Sequence, residues 1–389
     1  MKQIFLLDMT FWKKRFMARF FPGFDCVFTT WESFLRRLPS LTAAAAGSGE
    51  MITAAFWASS VRGQEKRRSI AELRRQPGIR ILMIEDGFVR SLGLGTDFYY
   101  PYSLVWDDQG IHYDPKSPSR FEILVREQCL RKDRDELAQR GAKLRRKIVE
   151  NRISKYYRCP ERSFLANVAD LKDHVRRQET RERIFQKVIF VPAQVPGDAA
   201  LRRGGCGYDN LRLLQDVRRL NPEAFIIFKV HPDVLSGNRA DRLTRKDIAR
   251  YADRIITGEY TSIECIEAAD EVHTITSLSG FEALLRGKKV VCYGMPFYAG
   301  YGLTDDIAVR CRAPEALAAW ERRKMSRITL DELAGVALLQ YPLYYNWNVG
   351  RASDCEDIVE LFSTLDSTRR SILCSLIDRF FVKPFMKDN

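Results

Sequence analysis

No run of 18 apolar residues occurs anywhere in this chain, so the sequence predicts no membrane-spanning helix. A secretory leader is also missing: residues 1–7 read as a short first strand, with no cleavage site behind an apolar core. Cysteine occurs nine times, at positions 26, 129, 159, 206, 265, 292, 311, 355 and 374, yet no two form a CxxC pair and the number is odd. That spacing excludes the usual zinc sites and argues against a disulfide framework. Cysteines inside apolar runs, such as Cys292, read as core. A reducing cytoplasm is the expected setting. Nucleic-acid-binding motifs are absent and aromatics are not interleaved with the basic runs, so no nucleic-acid partner is expected. Low-complexity segments are lacking too.

What is present is a chain of 389 residues, 46% hydrophobic, with a formal net charge of +13. The length favours two domains, each able to bury a core. The charge fits a soluble basic protein, an anionic substrate or an anionic membrane surface. Two segments, residues 11–21 and 372–385, mix Lys and Arg with bulky apolar side chains at roughly helical spacing. They suit either helices lying in a membrane interface or helices packed on the body of the protein.

The rhythm along the chain is α/β. Strands are expected at 3–7, 26–28, 54–58 and 79–84, with basic helical stretches such as 65–75 between them. Strands alternating with helices argue for a parallel sheet with right-handed crossovers. Residues 103–106 and 111–113, around the turn 107–110, read as a hairpin. Residues 118–186 carry dense charge with apolar side chains every three or four positions and predict two or three helices. Within them the basic run 143–147 reads as a solvated helix face. The α/β rhythm then returns, with strands at 187–191, 224–230, 254–257, 271–275, 289–293 and 308–310. Helices fill the gaps at 208–220, 262–269, 280–286, 314–324 and 330–336. The domains so drawn are an N-terminal Rossmann-like domain over 1–185, including the helical insertion, and a second Rossmann-like domain over 186–350. A helical tail, 351–389, crosses back over the first.

Four polar motifs sit at the ends of apolar strands, where ligands of open parallel sheets bind. The first is Glu85-Asp86-Gly87, with Arg90 behind it, a pair of carboxylates suited to general acid/base chemistry or simply to a glycine turn. The second runs from Gln194 to Asp198 and on to Arg202 and Arg203. An aspartate flanked by arginines can be held ionised as a nucleophile, and the arginines can hold a carboxylate in bidentate fashion; an exposed turn reads equally. The third, His231-Pro232, offers a histidine whose backbone is fixed by the proline, able to donate to a phosphate oxygen. The fourth opens a helix: Ser277 and Ser279 are cap-type residues, Gly280 permits close approach of a ligand to the backbone, and Glu282 lies one turn in. It suits phosphate and ribose binding, or a capping box from Ser279 to Glu282.

Taken in order, these motifs resemble the KpsC/LipB capsule polysaccharide family of β-Kdo glycosyltransferases. The resemblance runs through residues 84–91, 103–113, 190–201, 230–233, 276–285 and 293–304 and ends near 344–347. It implies a GT-B fold, two Rossmann-like domains facing across a cleft with the helical segment added. It also implies transfer of Kdo, an acidic sugar, from CMP-Kdo with a β linkage, without a metal or other cofactor. Retention by double displacement follows from the same resemblance. Carried over, Asp198 is the nucleophile on the anomeric carbon, Glu85 the acid/base on the acceptor hydroxyl, and Asp86 the second choice. His231 with Pro232, and the turn of Ser277, Ser279 and Gly280, hold the CMP phosphate; Glu282 holds the ribose; Arg202 or Arg203 takes the Kdo carboxylate; Gln194 and Arg90 join the binding set.

Two departures stand out. The family's capsule proteins carry two such modules in tandem and this sequence contains one, so one kind of linkage is expected, on a lipopolysaccharide core, a glycan terminus or a lipid-linked acceptor. Pro196 and Gly197 stand where acidic residues are expected before the aspartate. The expected location is the cytoplasm, peripheral to the anionic inner face of the bacterial inner membrane. The rival readings are an inverting, sialyltransferase-like enzyme using another CMP-sugar, and a non-catalytic export or scaffold protein of the capsule machinery.

Overall fold

A computed structural model describes residues 2–61, 63–93, 99–157, 164–180, 184–235 and 243–364. The chain is a mixed α/β protein built on two sheets. In chain order the first five strands are β1 (Lys2–Leu7), β2 (Phe24–Thr29), β3 (Ile52–Trp57), β4 (Ile79–Asp86) and β5 (Ser103–Asp107). The next six are β6 (Lys187–Pro192), β7 (Ala224–Lys229), β8 (Arg254–Ile256), β9 (Glu271–Thr274), β10 (Lys289–Cys292) and β11 (Asp305–Asp306). The last two are β12 (Pro342–Asn346) and β13 (Arg351–Ser353).

The first sheet has the order β13-β12-β5-β4-β3-β1-β2. Its half from β4 to β2 is parallel, and β5, β12 and β13 extend it antiparallel. Every residue of β3 is buried, as expected of a strand with helices on both faces. The expected hairpin does not form. β5 pairs with β4 and β12, and residues 111–113 are a turn without strand pairing. The cause is Asp107, whose buried carboxylate accepts the backbone N–H groups of Gln109, Gly110 and Arg120 and so curls the chain away from β5.

The second sheet is parallel throughout, in the order β11-β10-β9-β6-β7-β8. From its far edge this is the doubly wound order 3-2-1-4-5-6, which reverses direction between β6 and β9. The strand expected at 308–310 is instead a short helix, Ile307–Arg310; β11 precedes it and is only two residues long. Cys265 and Cys292 are fully buried, as core cysteines.

Three helices between the sheets, Arg120–Leu130, Arg134–Glu150 and Phe164–Arg177, account for the charged segment. On the second, Leu137, Gly141, Leu144 and Ile148 are buried at three- and four-residue spacing. The basic run on that helix is more than a solvated face: Arg145 pairs with Asp331 at 2.7 Å and Lys147 with Glu360 at 2.6 Å. The return to the first sheet begins with β12 at Pro342, earlier than the expected boundary at 350, because β12 finds its partner in β5.

The N-terminal basic-aromatic segment is used internally. It forms the helix Phe11–Met17 and a further turn to Phe20, and Phe16, Met17, Phe20 and Phe21 are buried against the first sheet. Trp12 stacks on Tyr100 at 4.7 Å, which leaves Phe11 as its exposed aromatic. The second such segment, 372–385, lies outside the described residues. Among the described residues no helix is long and apolar enough to cross a membrane.

Candidate active site

The direction change between β6 and β9 is where a doubly wound sheet opens a crevice at its carboxyl edge. Gln194 follows β6 and Thr276 follows β9, and the two side chains close that crevice at its base. Gln194 Nε2 donates to Thr276 Oγ1 at 2.9 Å, and the Thr276 N–H donates to Gln194 Oε1 at 2.8 Å. Asn210 holds the Gln194 backbone from behind through both its N–H and its carbonyl. Gln194 is therefore a buried brace between two strand ends, a different role from the ligand contact expected of it.

The helix Leu278–Leu285 starts directly above. Its cap is Ser277, whose hydroxyl accepts the Ser279 N–H at 3.2 Å, while Tyr298 donates to the Ser277 carbonyl at 2.6 Å. Ser279 stays half-buried at the mouth of the helix. The Gly280 expectation is corrected. A Cβ at this position would overlap the Tyr298 hydroxyl, so the glycine makes room for Tyr298 and not for a ligand. The Ser279–Glu282 capping box does not form either. Glu282 reaches out of the helix, and its carboxylate accepts the backbone N–H of Lys155 at 2.9 Å. Burial pushes its pKa up.

His231 ends the loop after β7, with Pro232 at the first position of the short helix Pro232–Leu235, where a missing N–H costs nothing. The Asp233 backbone N–H donates to His231 Nδ1 at 3.1 Å. A ring nitrogen that accepts carries no proton, so the neutral ring bears its proton on Nε2. Burial lowers the His231 pKa, and Asp233 and Asp198 oppose that shift. The result is a neutral donor facing the carboxyl edge of the sheet.

Asp198 is exposed and caps the helix Ala199–Gly204, accepting the Ala200 N–H at 3.2 Å. That helix is pinned from below: the Met295 N–H donates to the Gly204 carbonyl at 2.7 Å, and a Cβ at Gly294 would stand 2.5 Å from the same oxygen. Arg203 is committed to an ion pair with Asp114, which rises from the turn after β5. Arg202 is exposed and has no ion-pair partner among the described residues, so of the two it is the one free to meet a carboxylate.

The first sheet contributes Glu85 and Asp86 at the end of β4. Glu85 Oε2 accepts the Ser59 backbone N–H at 3.0 Å, from the strand end next door. Burial first, and then the neighbouring Asp86, push the Glu85 pKa up to about 7, against the pull of Lys13 and Lys155. Asp86 is instead locked by Arg90 in an ion pair of 2.7 Å. Arg90 is 4% exposed and also donates to Ser91 and to the Tyr99 carbonyl, so it fixes the β4 loop. The pair of carboxylates thus divides into one fixed anion and one tunable acid. Phe88, next along, stacks on Phe297 at 4.5 Å and packs on Phe281 of the Ser277-capped helix. This seats the β4 loop against the second half.

Sequence reasoning missed two residues that the fold brings here. Lys155 follows the second insertion helix. Its carbonyl accepts the N–H groups of Arg90 and Ser91, and its own N–H goes to Glu282. Burial lowers its ammonium pKa, but Tyr156, Asp86 and Glu85 more than compensate, and it stays charged. The same ammonium acts on Glu85, Glu282 and His231. Tyr113, in the turn after β5, is 7% exposed and interacts electrostatically with both Glu85 and Asp198. Lys155 lies outside the quoted motifs, in a segment full of lysine and arginine, and Tyr113 closes the 103–113 stretch but reads there only as part of a hairpin.

The polar ends of both sheets therefore meet in one constellation: Glu85, Tyr113, Lys155, Asp198 and His231. It offers a protonatable carboxyl, an exposed carboxylate, a neutral histidine donor and the ammonium of a half-buried lysine. That set suits group transfer from an anionic donor.

Comparisons with known proteins place the chain among capsule polysaccharide proteins. A family model described as capsule polysaccharide biosynthesis protein matches residues 60–344. The chain is 40% identical over 297 residues to the capsule polysaccharide modification protein LipA of Neisseria meningitidis serogroup B, covering 76% of this chain and 38% of LipA. It thus spans about two fifths of the length of that relative. It is 31% identical to the lipopolysaccharide-processing protein LpsZ of Rhizobium meliloti over 353 residues, 90% of this chain and 71% of LpsZ. Two solved structures from Thermosulfurimonas dismutans KpsC superpose over nearly the whole chain. The beta Kdo 2,4 transferase gives a TM-score of 0.70 at 27% identity, covering 93% of this chain and 98% of that one. The beta Kdo 2,7 transferase gives 0.66 at 30%, covering 92% and 98%.

Proposed function

The chain belongs to the capsule polysaccharide biosynthesis family, and from that premise we propose that it is a retaining β-Kdo transferase using CMP-Kdo as donor. The two sheets would be the halves of a GT-B enzyme, with the site in the cleft between their carboxyl edges. One observation carries the proposal above the others. Glu85, whose carboxyl pKa is pushed up to about 7 by burial and Asp86, ends one sheet, Asp198 follows a strand end of the other, and both act electrostatically on the Tyr113 hydroxyl. Two carboxylates with separate environments are what a double displacement needs.

In this mechanism the CMP phosphate lies against His231 Nε2 and the Ser277-capped helix, whose N-terminal dipole favours an anion. Lys155 supplies the positive charge beside it, and Arg202 the contact to the sugar carboxylate. An Asp198 carboxylate oxygen attacks the anomeric carbon as the bond to the phosphate oxygen breaks, and CMP leaves with the electron pair. The acceptor hydroxyl then gives its proton to ionised Glu85 and attacks the same carbon, releasing Asp198. Two inversions give net retention. An acceptor glycan or lipid-linked sugar would enter along the first sheet, and a net charge of +13 favours working at the anionic inner face of the cytoplasmic membrane.

The test is incubation with CMP-Kdo and a panel of lipid and core-oligosaccharide acceptors, following CMP release and the product anomer by NMR. A β-linked product with a covalent sugar on Asp198 supports the reading. An inverted anomer without an adduct would instead point to single displacement, and no CMP release with any acceptor to a scaffold.

A further inference from the structure

The Tyr113 hydroxyl is a buried polar group without a hydrogen-bond partner among the described residues. An unmade hydrogen bond at a buried hydroxyl costs about 1–3 kcal/mol, so such a group in a native protein calls for an explanation. Its surroundings supply one. The turn that carries it is fixed to the second half of the molecule from both sides. The Tyr113 carbonyl lies against Gly204, 3.1 Å from where a Cβ would stand, and the adjacent Asp114 forms an ion pair with Arg203. Gly204 and Arg203 belong to the helix that Asp198 caps. A turn of the first sheet is thereby clamped to the element bearing the proposed nucleophile. The ring of Tyr113 packs edge-on against His112, at 5.2 Å between centroids, which fixes its direction. Its hydroxyl acts electrostatically with Glu85, Arg203, Asp198 and Asp114.

We propose that the Tyr113 hydroxyl is a substrate contact at the reaction centre, donating a hydrogen bond to a hydroxyl oxygen of the acidic sugar as it moves between Asp198 and the acceptor. The partner is a neutral oxygen for a physical reason. Three carboxylates, on Glu85, Asp198 and Asp114, act on this hydroxyl, and their field would repel the sugar's own carboxylate. A donor aimed at the ring oxygen would oppose the positive charge that develops there. Burial, and then Glu85, push the Tyr113 pKa well up, so it stays a neutral donor throughout the cycle.

This proposal rests on the Kdo-transfer reading, and the experiment separates the two. Tyr113→Phe keeps the ring and removes only the hydroxyl. Wild type and variant are compared with CMP-Kdo and a working acceptor for kcat, KM, covalent adduct by intact mass, and melting temperature. The expected result is a melting temperature equal to or above wild type, because the lost hydroxyl has no partner inside the protein. Transfer efficiency should fall about 2- to 10-fold, the range for one hydrogen bond between neutral groups. The loss should lie mainly in kcat, and the adduct should form more slowly. Full activity in Tyr113→Phe beside an active wild type overturns the Tyr113 contact and leaves the transfer reading intact. A variant that loses activity only in proportion to its folded fraction overturns it equally. A folded wild type that turns over no CMP-Kdo overturns the transfer reading, and the Tyr113 contact with it.

Discussion

The carboxylate of Glu282 accepts the backbone N–H of Lys155 at 2.9 Å, and through that bond the helix above the second sheet holds the segment that also carries the β4 loop. The Lys155 carbonyl completes the link by accepting from Arg90 and Ser91. One residue of the helical insertion thus ties the loop after β4 to the Ser277-capped helix.

Two substitutions separate the backbone role of Lys155 from its charge. Lys155→Met leaves the backbone bonds in place and removes the ammonium. It should raise KM for CMP-Kdo about tenfold or more while changing melting temperature little, since a charge-assisted contact contributes roughly 1.5–3 kcal/mol. Glu282→Ala leaves the Lys155 N–H without its acceptor and should cost about 1–3 kcal/mol of stability as well as activity. Equal donor KM in Lys155→Met and wild type, measured by CMP release, would remove Lys155 from the donor site.

Glu85 predicts a pH signature. Its folded pKa, near 7, lies above the ordinary 4.5, because burial and Asp86 disfavour its charged form. The native state then holds this proton more tightly than the unfolded chain. Its contribution to stability is fully present below the unfolded value and is lost as pH rises through about 7. Glu85→Gln should therefore gain stability over wild type as pH rises from 5 toward 8, by roughly 2 kcal/mol. Catalysis should run the other way. Wild-type transfer should climb through pH ~7 as the base ionises, and the variant should lose that limb and about 100-fold or more of its rate. Parallel melting curves and pH–rate profiles check both halves.

Asp198 has two duties that a choice of substitutions can pull apart. As a cap it accepts the Ala200 N–H, and asparagine caps a helix about as well. Asp198→Asn should therefore keep the unfolding free energy within about 0.5 kcal/mol of wild type yet form no covalent sugar adduct. Asp198→Ala should lose the adduct and also about 1 kcal/mol of stability. An Asp198→Asn enzyme that still transfers Kdo with retention would end the nucleophile assignment, with intact mass and product NMR as the readouts.

Much of the second half was legible because strand ends there carry polar motifs directly behind apolar runs. Gln194, Asp198, His231 and Ser277 all emerge at the carboxyl edge of parallel strands, as their neighbours in sequence announce. What the side chains do was less legible. Gln194, Arg90 and Arg203 look like ligand contacts by type, but each finds a protein partner distant in sequence or across a turn, in Thr276, Asp86 and Asp114. The hairpin was misread because Asp107 captures three backbone N–H groups, a decision made by a single buried carboxylate that period-two patterning cannot register. β12 was missed for a similar reason: its partner, β5, lies more than two hundred residues away.

Gly280 shows how such a misreading can be tested. Conformational freedom is not what the position requires, since no positive φ occurs there. It requires space, because a methyl group would collide with the Tyr298 hydroxyl, which donates to the Ser277 carbonyl at 2.6 Å. Tyr298 is fully buried and stacked on Phe281, so it has nowhere to retreat. Gly280→Ala should cost about 1–3 kcal/mol, as overpacking does, and shift the helix mouth enough to weaken donor binding. Tyr298→Phe alone should cost about 1 kcal/mol for the lost hydrogen bond. Combined with Gly280→Ala it should be less damaging than the two costs added, because the nearest clashing atom is gone and only the Tyr298 ring carbon at 2.8 Å and Thr274 Cγ2 at 3.0 Å remain. Additive losses in that double-mutant cycle, by chemical denaturation, would mean that Gly280 answers to something other than Tyr298, and would reopen the close approach of a ligand at this turn.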